Sequence, residues 1–198
     1  MPPRDSKARF IDPMLLLRAE TLPEGAGWTY ELKLDGYRAL GIKTGGTARL
    51  RCRNDKDFNR KYPTIARALT SLPDETVIDG EVVALDEAGR PSFNALQNGA
   101  PGAAIVYYLF DVMVLAGRDV MGEPLATRRE LLSREVMPLL ADPVREASRF
   151  DAALADLIAA VRAQGSKAWS PSGSIVSTSL ARDPGHGARC GSTGRRSS

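Results

Sequence analysis

Apolar residues occupy every second position from Trp28 to Leu34. This period of two is typical of a β-strand with one buried face. Further strands, rich in β-branched, aromatic or alternating apolar residues, are predicted over residues 39–43, 48–52, 77–85 and 105–115. The Gly45-Gly46 pair separates the first two of these strands and predicts a tight hairpin turn.

Helical patterns occur in three places. Pro63 suits the first turn of a short helix over residues 64–69, because a missing backbone N–H costs nothing at that position. A second helix is predicted over roughly 125–140 and a third over 151–163, where the apolar residues of one face are Ala153, Leu154, Leu157, Ile158 and Val161. Strands that come in runs and helices that come in runs indicate an antiparallel α+β architecture.

The composition fits a globular protein of about one domain, since 43% of the 198 residues are hydrophobic. No segment approaches the run of about 18 apolar residues that a membrane helix needs, and residues 1–7 lead into no signal-peptide segment. We therefore expect no membrane association and a cytoplasmic location. Cys52, Cys190 and His186 are too few for a disulfide framework, a zinc site or histidine-based catalysis.

The formal net charge of +3 comes from one end of the chain. The charged residues of the segment 166–198 are Lys167, Arg182, Asp183, Arg189, Arg195 and Arg196. Since the rest of the chain is close to neutral, the global charge says nothing about DNA binding by the main body. The segment 166–198 is dominated by Ser, Gly and Arg and lacks a sustained period, which predicts a disordered basic tail.

The segment from Glu31 to Arg38 carries the strongest candidate chemistry. Alternation places Glu31, Lys33 and Asp35 on one face of the predicted strand, and Gly36 then turns the chain. A lysine between carboxylates could be a nucleophile, with Arg38 near enough to bind a phosphate. The alternative is a solvated strand face with ordinary ion pairs.

A second candidate lies on the strand over 77–85. Asp79 and Glu81 share a face, and Gly80 between them would permit close approach of a ligand to the backbone. Paired carboxylates could hold Mg²⁺ or a ribose hydroxyl. The alternative is an exposed polar edge.

The strand over 105–115 contains a third candidate, the aromatic run that ends at Phe110-Asp111. Aromatic residues on a buried strand are core residues by default. A base-stacking role for one of them requires a nucleotide site beside it.

Taken in order, these segments resemble the motif series of one enzyme family. Lys-x-Asp-Gly-x-Arg from Lys33, Asp-Gly-Glu from Asp79 and Phe-Asp at Phe110 are similar to the motifs of covalent nucleotidyltransferases. That group comprises the ATP-dependent DNA ligases and their capping-enzyme and RNA-ligase relatives. Further segments resemble the bacterial end-joining type of ATP-dependent DNA ligase, and these are Phe10-Ile11-Asp12-Pro13-Met14, Arg53-Asn54 and Ser92-Phe93-Asn94-Ala95-Leu96-Gln97. The resemblance covers residues 10–165.

The resemblance implies a mechanism in which Lys33 attacks the α-phosphate of ATP, releases pyrophosphate and carries AMP. AMP then passes to the 5′-phosphate at a DNA nick, and the 3′-hydroxyl displaces it, with Mg²⁺ or Mn²⁺ offsetting phosphate charge. The implied ATP-binding residues are Glu31 beside the adenine, Lys33, Asp35 as the residue that orients the lysine, Arg38 at the ribose and phosphates, Arg53 at the ribose or the DNA end, Glu81 at the ribose or metal, and Phe110 stacked on adenine.

The resemblance also implies the domain organisation and the partners. Residues 1–24 form an N-terminal arm, and residues 25–165 form a partial adenylylation domain. The implied fold is an antiparallel-sheet, ATP-grasp-like nucleotidyltransferase domain that is incomplete and has no OB-fold. The implied partners are nicked double-stranded DNA and end-joining proteins, and we expect a monomer in the bacterial cytoplasm.

The chain departs from the family pattern after Gly165. Family members continue with Glu-Gly-(Leu/Val/Ile)-Val-Ala-Lys, whereas this chain has Ser-Lys-Ala-Trp-Ser-Pro-Ser at 166–172. Codons for that segment, read one frame over as GAA-GGC-CTG-GTC-GCC-AAG, encode Glu-Gly-Leu-Val-Ala-Lys. This indicates a lost base near Gly165, a frameshifted segment 166–198, and a chain that is at most weakly active.

Two other functions stay open on the sequence. One is an RNA ligase or a capping-type guanylyltransferase, which the segments at 10–14 and 93–97 disfavour. The other is a non-catalytic remnant that binds nucleotide or DNA and forms no covalent AMP.

Overall fold

The structure is a computed structural model that describes residues 6–13, 16–18, 28–150, 174–179 and 189–191. In chain order, its elements are β1 (Leu16–Arg18), β2 (Trp28–Lys33), β3 (Tyr37–Thr44), β4 (Thr47–Cys52), α1 (Pro63–Ala68), β5 (Thr76–Leu85), α2 (Phe93–Asn98), β6 (Ala104–Leu115), β7 (Arg118–Asp119), α3 (Leu125–Leu131), β8 (Val144–Glu146), β9 (Arg149–Phe150), β10 (Ser174–Ser179) and β11 (Arg189–Gly191).

The main sheet has the strand order β4-β3-β5-β6-β7, and its neighbouring strands are antiparallel. β8 adds to β6 in parallel. Gly45 and Gly46 make the predicted hairpin turn between β3 and β4, with φ values of 53° and 75° that favour glycine. The antiparallel α+β architecture predicted from the sequence is confirmed.

Both faces of the main sheet are covered. One face packs against the helices through a large apolar cluster, whose helical members include Ile65 of α1, Leu96 of α2 and Leu132 just after α3. On the opposite face, Leu40, Ile42, Val77, Met113 and Val114 pack against Ala8, Phe10 and Ile11 of the N-terminal segment. Alternation along β3 therefore feeds two separate apolar clusters rather than one.

Glu75 fastens the N-terminal segment to the sheet. Its carboxylate accepts hydrogen bonds from the backbone N–H of Ala8 and from the hydroxyl of Thr44. The N–H of Ser6 also donates to the carbonyl of Gly117 at 2.7 Å. These contacts, with the apolar cluster beside them, hold residues 6–13 as an arm across the sheet.

A second sheet has the order β1-β11-β10-β2-β9. All six residues of β2 pair with β10, which runs antiparallel to it from Ser174 opposite Lys33 to Ser179 opposite Trp28. At β10 and β11 the structure differs from the disorder predicted for 166–198. The reason is local, because Ile175, Val176 and Thr178 are β-branched and the edge of β2 offers a full row of backbone partners.

The helices agree with the sequence only in part. α1 begins at Pro63 as predicted. The helix predicted over 125–140 is α3, followed by a π-helical turn at Leu132–Val136 and a 3₁₀ turn at Met137–Leu139. The helix predicted over 151–163 lies outside the described residues. Within the described part, no helix is long and apolar enough to cross a membrane.

Candidate nucleotide-binding site

Three neighbouring strands bring Arg38, Asp79 and Phe110 together. Arg38 on β3 donates from Nε and Nη2 to the two carboxylate oxygens of Asp79 on β5, at 2.6 and 2.5 Å. Its guanidinium carbon also lies 4.4 Å from the ring centroid of Phe110 on β6. A bidentate ion pair and a cation–π contact together fix the orientation of this arginine.

Glu81 lies beside this cluster. It is the register partner of Arg38 across β3 and β5, and of Tyr108 across β5 and β6. The structure therefore brings together three of the residues that the sequence selected, Arg38, Glu81 and Phe110. Asp79 is 2% exposed, so the exposed polar edge considered for this strand is not what forms.

Electrostatics keep Arg38 charged. Burial alone disfavours the guanidinium cation, but Asp79 outweighs it with support from Glu81 and Asp111, and the pKa of Arg38 rises above its ordinary value. A permanent cation held by carboxylates and oriented beside an aromatic ring is suited to contact a nucleotide phosphate or ribose.

The glycines of the two motifs are required by packing between strands. A Cβ on Gly80 would lie 2.4 Å from the carbonyl oxygen of Tyr108 and 2.6 Å from the ring of Tyr107. Without that Cβ, the Tyr107 ring crosses β5 and its hydroxyl donates to the carbonyl of Ala39 on β3 at 2.7 Å. A Cβ on Gly36 would lie 2.2 Å from the carbonyl oxygen of Val82. The sequence suggested a ligand as the reason for Gly80, whereas the structure shows a buried tyrosine.

The strand with the candidate nucleophile belongs to the other sheet. Lys33 is the last residue of β2, and three residues separate it from β3. The side chain of Lys33 lies outside the described part of the structure. Asp35 is half-buried in the connection between the strands, and Glu31 on β2 is buried and forms an ion pair with Arg129.

Arg53 is exposed just after β4. Its backbone N–H donates to the carbonyl of Arg38 at 3.1 Å, so its main chain is tied to the start of β3. Its position at this end of the sheet is compatible with contact to a ligand near Arg38.

The structure also shows functional neighbours that the sequence analysis did not select. Arg128 forms a buried bidentate pair with Asp111, the residue after Phe110, and Arg129 binds Glu31. A signal was present, because Arg128 and Arg129 fall three and four residues after Leu125, on the stripe that continues to Leu132. Arginines on the apolar stripe of a helix indicate buried charges that need carboxylate partners.

The described residues contain no group of three or more acidic, histidine or cysteine side chains that could hold a metal ion. Asp79 and Asp111 are bound to arginines, and Glu81 is the half-buried carboxylate next to them. Mg²⁺ commonly uses one or two carboxylates together with substrate phosphates, so Glu81 fits a metal that arrives with a nucleotide.

Comparison with known proteins shows the family. The family model described as ATP dependent DNA ligase domain matches residues 13–156. The chain therefore belongs to the ATP-dependent DNA ligase family, a family of enzymes, and its described fold is that of the nucleotidyltransferase domain of these ligases.

Particular relatives are end-joining and related bacterial ligases. The chain is 40% identical over 151 residues to the multifunctional non-homologous end joining protein LigD of Pseudomonas aeruginosa, which covers 74% of this chain and 17% of that protein. It is 35% identical over 142 residues to DNA ligase C1 of Mycolicibacterium smegmatis, covering 64% of this chain and 41% of the relative.

Solved structures give the same result. A mycobacterial DNA ligase D complexed with ATP and MES superposes with a TM-score of 0.69 at 26% identity, covering 90% of this chain and 60% of that chain. The ligase domain of Mycobacterium tuberculosis LigD has a TM-score of 0.69 at 27% identity, with 89% and 58% covered. This chain thus spans less than a fifth of the LigD proteins that it matches and about three fifths of their solved ligase domains.

Proposed function

We propose that this chain is the adenylylation part of a DNA ligase that forms lysyl-AMP at Lys33. The observation that carries the proposal is the cluster of Arg38, Glu81 and Phe110 on neighbouring strands, close along the chain to the lysine strand. Family membership supports ATP as the nucleotide.

Each proposed role follows from the chemistry of the residue. The ring of Phe110 would stack on the adenine, and Glu31 would lie beside that base. Arg38 and Arg53 would contact the ribose and phosphates, while Asp35 would orient Lys33. Lys33 would attack the α-phosphate, so that a P–N bond forms, the bond to pyrophosphate breaks and the lysine proton leaves.

We propose Mg²⁺ as the accompanying ion, with Mn²⁺ as a substitute. Glu81 would be its carboxylate ligand together with the phosphates, and the ion would offset negative charge on them. The residues of this chain supply the binding and orientation of the nucleotide.

We further propose nicked double-stranded DNA as the acceptor of AMP, in bacterial end joining or recombination. LigD relatives are named as end-joining proteins, which supports this setting. We place the protein in the bacterial cytoplasm as a monomer that works with other end-joining proteins. A preference for nicked DNA over nicked RNA, and for ATP over GTP, would separate this proposal from an RNA ligase or a capping-type guanylyltransferase.

Covalent adenylylation of the full chain is the direct test of the proposed function. Incubation with ATP and Mg²⁺ should increase the intact mass by one AMP, slowly, with the modification on Lys33 in a peptide map. Lys33→Met should abolish the increase, because methionine keeps the length of the side chain and removes the amine. Lys43→Met is the matched control, since Lys43 binds the carbonyl of Thr70 away from the site.

Adduct on Lys43→Met and none on Lys33→Met supports the proposal. No adduct on the wild-type chain under any nucleotide favours a non-catalytic remnant. We expect no nick sealing by this chain, whatever the result with ATP.

A further inference from the structure

Two adjacent arginines on α3 bind carboxylates on two different sheets. Arg128 donates from Nε and Nη2 to the carboxylate oxygens of Asp111 on β6, at 2.9 and 2.8 Å. Arg129 forms an ion pair with Glu31 on β2, and the side chains of this pair are 2% and 7% exposed. One short helix thus joins the main sheet to the second sheet through charge.

These two contacts lie next to the candidate site on both sides. Asp111 directly follows Phe110 on β6, and Glu31 precedes Lys33 by two residues on β2. α3 therefore connects the strand of the aromatic residue to the strand of the lysine. Relative movement of the two strands would change the distance between the nucleotide and its attacking group.

The two arginines differ in how completely they are hydrogen-bonded. Arg128 also donates from Nη1 to the carbonyl of Glu123 at 2.8 Å, so all three of its nitrogens have acceptors. Arg129 is 1% exposed, and within the described residues its Nε and Nη1 have no hydrogen-bond partner. Because an apolar replacement of a buried ion pair is often neutral or stabilising, stability alone is a weak reason for Arg129.

We propose that Arg129 is a positioning residue for adenylylation, acting through Glu31 to hold β2 in place against the main sheet. This inference rests on the proposed lysyl-AMP function. In-line attack requires the amine and the α-phosphorus at a defined distance, and a displacement of about 1 Å can slow such a step by about 100-fold.

Single-turnover adenylylation of the full chain with radiolabelled ATP separates positioning from folding. The amplitude reports the fraction of folded, competent protein, while the rate constant at saturating ATP reports the geometry of the competent fraction. Arg129→Met should lower the rate constant at least tenfold. Arg129→Lys, which keeps the charge and loses the planar fork, should recover part of it.

The control and the double variant make the test specific. Arg145→Met removes an exposed arginine that pairs with Asp142, and its rate constant should equal that of the wild type. Glu31→Gln combined with Arg129→Met should be no slower than the slower of the two single variants, since both act through one contact. An unchanged rate constant in Arg129→Met, a loss of amplitude alone, or effects that multiply would each overturn the proposal.

Hydrogen exchange decides the matter where the wild-type chain forms no adduct. In that case the proposed function fails, and the link between the sheets is judged from the backbone amides of β2. They should exchange at least tenfold faster in Arg129→Met than in the wild type, with no change in Arg145→Met. Unchanged exchange in β2 would overturn the role of Arg129 independently of any activity.

Discussion

Gly80 is the residue at which a single added carbon should do most damage. The Cβ of Gly80→Ala would lie 2.4 Å from the carbonyl oxygen of Tyr108 and 2.6 Å from the Tyr107 ring, both in the buried sheet. Either the ring or strand β6 must move, and the hydrogen bond from Tyr107 to Ala39 is then strained or lost. We expect a loss of about 3 kcal/mol in the free energy of unfolding, measured by urea denaturation.

Gly122→Ala is the matched control, because no atom lies within 4 Å of its added Cβ. Its free energy of unfolding should stay within about 0.5 kcal/mol of the wild type. Equal stability of Gly80→Ala and Gly122→Ala would show that Tyr107 does not need the space above Gly80.

Residue types predicted part of the site, and burial explains the rest. Arg38, Glu81 and Phe110 could be selected because their spacing matches a known motif series. The role of Asp79 could not be predicted, since alternation gives a face but does not tell a central strand from an edge. β5 lies between β3 and β6, which buries Asp79 and commits it to Arg38.

At the scale of elements, the attachment of the N-terminal arm should depend on pH. The N–H of Ala8, and after it the hydroxyl of Thr44, stabilise the Glu75 carboxylate and lower its pKa from the ordinary value. A carboxyl group with a lowered pKa stabilises the fold above its unfolded-state pKa, about 4.3, and loses that contribution as the pH falls through the folded-state value. Glu75→Gln should therefore be less stable than the wild type at neutral pH.

The difference between Glu75→Gln and the wild type should shrink as the pH drops below about 4, because both side chains are then uncharged. Urea denaturation between neutral and acidic pH measures it. Glu87→Gln, at an exposed turn position, should match the wild type throughout. A constant difference at every pH would contradict an attachment that depends on the charge of Glu75.

Element length decides which elements the sequence could predict. The strands β3, β5 and β6 are long enough to show a pattern, and their boundaries agree with the structure to within two residues. α2 has six residues, too few for a helical period, although Ser92 caps it through the N–H of Ala95 and Gly99 ends it at a φ of 62°. The strands β8 and β9 depend on partners distant in sequence.

For the whole molecule, we propose that the segment 166–198 is read in a shifted frame. The prediction is that resequencing the gene across the codons for Gly165 and Ser166 finds one additional base. That base would restore Glu-Gly-Leu-Val-Ala-Lys after residue 165, and the restored protein should adenylylate faster than this chain. An unchanged gene sequence would make the segment 166–198 a genuine part of the protein and contradict the shift.

The pairing of β10 with β2 has a consequence for how such a gene product would persist. Strand pairing uses main-chain N–H and C=O groups that every residue except proline carries, so it is largely indifferent to the identity of the added segment. A stretch never selected for this place, Ser-Ile-Val-Ser-Thr-Ser, can therefore cover the open edge beside Lys33. Chaperones and proteases respond to exposed edges and unfolded chain, so a product with a covered edge would escape rapid removal and remain in the cell after its catalytic segment was lost.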